Sequence, residues 1–69
     1  MKTTDFLVDT PNPDLLDKTL NQFGAALVGG GMPNGYSRQD GHYIVRCFSD
    51  ASFIKFMITA QGYGVVVDM

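Results

Sequence analysis

The 69-residue chain predicts an α+β domain with the element order β-α-β-β-α-β, and three observations carry that prediction. Two segments set apolar residues at helical spacing. Short β-branched or aromatic runs flank and separate them. An Asp-Gly pair, Asp40-Gly41, divides two of those runs as a two-residue hairpin turn does.

Phe6-Leu7-Val8 is the first strand, between Asp5 and Asp9. Thr10 to Asp14 reads as a turn and a helix start: Asn12 caps, Pro13 suits the first helical position, and Asp14 complements the helix dipole. Leu16, Leu20, Phe23 and Leu27 then lie on one helical face beside Leu15. Gly24 weakens this helix by about 1 kcal/mol. The helix is expected to run on to Gly29-Gly30-Gly31, where a glycine C-cap is natural; a break at Gly24 would instead hand Ala25 to Val28 to a strand.

The hairpin joins Tyr36-Ser37-Arg38-Gln39 to His42 through Phe48. Ser49-Asp50 caps a second helix, in which Phe53, Phe56, Met57 and Ala60 form the expected core stripe and Gly62 the stop. Ile54 and Ile58 lie on a second side, to be absorbed by a broad core or to meet another chain. Tyr63 to Asp68 is the last strand. Two helices on one face of a four-stranded antiparallel sheet, a ferredoxin-like two-layer sandwich, bury these stripes economically. The expected domain is single, spanning residues 1–69, and stand-alone.

Strand parity then sorts the sheet. With Phe6, Val8, Tyr43, Val45, Cys47, Tyr63, Val65 and Val67 turned to the helices, the uncovered face carries Leu7, Ile44, Phe48 and Val66 around His42 and Arg46, with Asp68. That is too apolar for a face that meets only water.

Charge narrows the functions. Five basic residues, Lys2, Lys18, Arg38, Arg46 and Lys55, are scattered among seven acids, all Asp, for a formal charge of −2. Nucleic-acid affinity needs clustered cations. A lone cysteine, Cys47, forms no intrachain disulfide and fits a reducing cytoplasm. The three apolar residues near the N-terminus fall short of a signal peptide's apolar region, and no run approaches a membrane span.

The motifs that would carry chemistry fail on inspection. Gly30 to Gly35 has the spacing of a phosphate loop, but Tyr36 stands where the lysine belongs. His42 and Cys47, five apart on one strand, face opposite ways and form no nucleophile–base pair. One His and one Cys do not furnish a zinc site. Asp5 with Asp9, and Asp14 with Asp17, read as strand flanks and helix-dipole partners. No enzyme activity, metal or cofactor is expected.

The expected function is binding of another protein, as in small adaptors or inhibitors of phage or mobile-element type that occlude a partner. Ile44 and Phe48 would form the apolar centre of the contact, with Tyr36, Arg38, His42 and Arg46 at its rim. The alternative is a nucleotide or single-stranded nucleic-acid binder using the open sheet, although Asp40 stands where the aromatic third strand of RNA-recognition sheets begins with a cation. A homodimer through the second helix is the third class.

Overall fold

A computed structural model describes residues 2–30, 33 and 35–67. Among them, two helices and five strands follow in the order β1 (Thr4–Asp9), α1 (Pro13–Asn21), β2 (Ala25–Leu27), β3 (Arg38–Gln39), β4 (His42–Cys47), α2 (Ala51–Ala60) and β5 (Val65–Val67). The open sheet is antiparallel in every pairing, with the order β2-β4-β1-β5; β3 also pairs with β4. The expected four strands become five because the edge beside β4 is shared. β2 lies against Val45 to Cys47, and β3 against His42 and Tyr43.

Local chemistry sets most boundaries. The Asn12 side chain accepts the N–H of Leu15 at 3.1 Å, with Pro13 just inside α1. The Asp50 side chain does the same for Ser52 and Phe53 at the start of α2. Asp40 and Gly41 both take positive φ, 53° and 83°, as the tight hairpin requires.

The end of α1 departs from expectation. The helix stops at Asn21, Gly24 takes φ 81°, and Ala25 onward pairs with β4. Gly24 in the left-handed region turns the chain at little steric cost. Leu27 therefore reaches the core from a strand rather than from α1.

One buried cluster joins Phe6 and Val8 of β1, Leu16 and Leu20 of α1, Ala25 and Leu27 of β2, Val45 and Cys47 of β4, and Ile54, Met57 and Ile58 of α2. Each fully buried leucine or isoleucine stabilises the fold by about 2 kcal/mol through removal from water.

Two packing expectations are overturned. The buried side of α2 is Ile54, Met57 and Ile58, whereas Phe53, Phe56 and Ala60 are exposed. Met57 belongs to both candidate stripes. The helix is thus rotated by about one residue, roughly 100°, from the expected orientation. In β5 the parity is reversed: Val66 lies opposite Val8 and packs on the core, while Val65 and Val67 lie opposite Asp9 and Leu7 on the open face. Asp68, and Gly31, Met32 and Asn34 of the glycine-rich stretch, lie outside the described residues.

Candidate interaction surfaces

On the open face, β1 presents Asp5, Leu7 and Asp9, and β4 presents His42, Ile44 and Arg46. Leu7 lies between Ile44 and Val67 and is only 4% exposed. An Arg–Asp ion pair and a His–Asp hydrogen bond flank this apolar row. Arg46 donates from Nε and Nη2 to the two oxygens of Asp5 at 3.1 and 3.0 Å, a fork-on-fork geometry. This pairing raises the guanidinium pKa above its ordinary value, chiefly through the hydrogen bond. At the other end, His42 Nδ1 lies 2.6 Å from Asp9 Oδ1.

Tyr36 and Arg38, expected on the same rim, lie on the other side of the hairpin. Arg38 pairs with Tyr43, which packs against the core. Its guanidinium lies 4.4 Å from the Tyr43 ring centroid and donates to the Tyr43 hydroxyl. Tyr36 meets that ring edge-on, with centroids 6.0 Å apart, and donates its hydroxyl to Asp14 Oδ1 at 2.7 Å. That hydrogen bond, with partial burial and the Asp14 charge, pushes the Tyr36 phenol up to about 12. The six expected contact residues therefore divide into Tyr36 and Arg38 beside α1, His42, Ile44 and Arg46 on the open face, and Phe48 beyond the end of β4.

The largest exposed apolar side chains stand instead just past α1, just past β4 and on α2. Phe23 is 41% exposed, Phe48 51%, Phe53 49% and Phe56 69%. The rings of Phe23 and Phe53 meet with centroids 5.9 Å apart. A backbone bond and a side-chain bond link these segments: the Phe48 N–H donates to the Gly24 carbonyl at 2.8 Å, and Ser49 Oγ donates to the Phe23 carbonyl at 2.9 Å. Phe56 follows Phe53 by three residues along α2. Sequence reasoning placed Phe23, Phe53 and Phe56 in the core. The signal that could have separated them was the competing aliphatic pair, Ile54 and Ile58.

A shallow cleft of about 580 Å³ lies between Asp9–Pro11, the hairpin and the turn before β5. Its polar side chains are already engaged. Asp9 meets His42, Arg38 meets Tyr43, and Thr10 Oγ1 donates to the Tyr63 carbonyl at 2.7 Å. Asp14 and Asp17 also have partners, Asp17 Oδ1 accepting the Leu27 N–H at 2.9 Å. Cys47 is buried among apolar neighbours, and that desolvation pushes its thiol pKa up. Among the described residues, no group of three or more His, Cys, Asp or Glu could hold a metal ion, and no helix is long and apolar enough to cross a membrane. No protein-family model, curated protein or solved structure matches the chain.

Proposed function

We propose that this protein is a non-enzymatic binding module that captures another protein through its phenylalanine-bearing corner. The observation that carries the reading is that four of its five phenylalanines, Phe23, Phe48, Phe53 and Phe56, are exposed. Large rings at one corner are the kind of anchor that fills a partner's apolar pocket and dominates binding energy. An adaptor, or an inhibitor that occludes its partner, would work this way inside a cytoplasm. The sheet order, with β2 and β3 taken as one interrupted strand, also supports assigning the ferredoxin-like arrangement.

Nucleic-acid binding on the open face has less support. Base stacking needs free rings, and His42 there is tied to Asp9. Capture from cytosolic extract by the native chain and by Phe53→Ser/Phe56→Ser tests the reading. The expected result is a partner held by the first and lost by the second, with both chains folded. Equal capture by the two would overturn it.

A further inference from the structure

The two edges of the sheet are finished differently. On the β2 side, the N–H of Leu27 donates to Asp17 Oδ1 at 2.9 Å, and its carbonyl accepts the Gly30 N–H at 3.3 Å. The chain's own groups therefore satisfy Leu27 on that edge. β3, farther along the same side, is two residues long and carries Arg38. A side-chain cap, a short strand and a charge are the usual guards against strand addition.

β5 is also short, at three residues, but it has neither the cap nor the charge. It is Val65-Val66-Val67, with neither charge nor proline. Among the described residues, it hydrogen-bonds on its β1 side and nothing bonds to its far side. Val65 is 67% exposed at this rim. The strand is also held firmly in place. The Tyr63 N–H donates to the Ile58 carbonyl at 3.0 Å, Thr10 holds the Tyr63 carbonyl, and the Asp9 carbonyl comes so close to Gly64 that no side chain would fit. A firmly held, uncapped and uncharged β-branched edge is a template for another strand.

We propose that β5 is a self-association edge, on which a second copy of this chain pairs its own β5 antiparallel about a two-fold axis. The strand's composition selects that occupant. Three valines read the same in both directions, so a two-fold centred on Val66 sets valine against valine at every position, with no charge opposed. On the open face, Val65 would lie opposite Val67 of the second copy. The row Ile44–Leu7–Val67 would then continue across the axis, covering the exposed side of Val65. This surface is separate from the phenylalanine corner, and the two can be tested apart.

Sedimentation of the full chain between about 10 μM and about 1 mM, the weak limit of specific association, tests the proposal. The expected result is a monomer–dimer equilibrium. Val65→Lys, at a position already facing solvent, should raise the dissociation constant at least about tenfold. Val65→Ile and Phe53→Ser/Phe56→Ser should leave it unchanged. A monomer at every concentration would overturn the proposal. So would a dimer indifferent to Val65→Lys, or one dissolved by the phenylalanine substitutions.

Discussion

Leu7 and Phe56 both point away from the main core, yet Leu7 is 4% exposed and Phe56 is 69% exposed. The difference lies in the surfaces that carry them. Leu7 sits mid-sheet, where cross-strand neighbours stand about 5 Å away on both sides, and Ile44 and Val67 cover it. The Asp5–Arg46 and Asp9–His42 pairs close the row. Phe56 sits on the convex back of a helix, where side chains diverge and, among the described residues, it stays 69% exposed. A sheet face can therefore shelter its own apolar residues, whereas the outer side of a helix needs a partner. This contrast is what supports the proposed docking surface at Phe23, Phe48, Phe53 and Phe56 over the sheet, where apolar patterning suggested it.

The largest expected effect tests the rotation of α2. Ile54→Ala should destabilise the fold by about 2–5 kcal/mol, and Phe53→Ala by under about 1 kcal/mol, in urea titrations followed by circular dichroism. The reverse ranking would restore the expected stripe. Next, Leu7→Ala should cost about 2–3 kcal/mol, against about 0.5 kcal/mol or less for Phe56→Ala. Similar small losses for both would mean that the open face shelters nothing.

Gly24→Ala discriminates by sign. At φ 81°, the added Cβ is strained and meets Ser49 Oγ at 3.0 Å, so a loss of about 1–2 kcal/mol is expected. Had α1 continued through this position, alanine would stabilise it by about 1 kcal/mol. The smallest effect is spectroscopic. Because the folded-state pKa of Tyr36 is raised to about 12, its contribution is fully present below the unfolded value near 10. It fades as pH rises from there through 12. Ultraviolet titration should show a late phenolate that Tyr36→Phe removes and Asp14→Asn brings earlier. A native titration left unchanged by Asp14→Asn would contradict the Tyr36–Asp14 bond.

Legibility in the sequence follows the range of the forces. The Asp40-Gly41 turn, the Asn12 and Asp50 caps and the parity of β1 and β4 were legible, because each depends on a few adjacent residues. The burial of Cys47 and its separation from His42 followed from the same alternation. The end of α1 was not legible: Leu27 keeps helical spacing with Leu16 and Leu20 while lying in a strand. The grouping of the expected contact residues was legible only in part: His42, Ile44 and Arg46 share the open face, but Tyr36 and Arg38 lie on the opposite side of the hairpin. Which of Phe53 and Ile54 would be buried rested on a helical period that fitted both.

Composition and local pattern by themselves determined an α+β chain with its hairpin, its caps and an excess of apolar side chains. Tertiary structure alone decided which of those side chains stay outside. The α2 rotation and the β5 register are set within one core shared with Leu16, Leu20 and Val8, residues distant in sequence. Periodicity reports that an element has an apolar side; when two sides qualify, only the shape of the space it must fill selects between them.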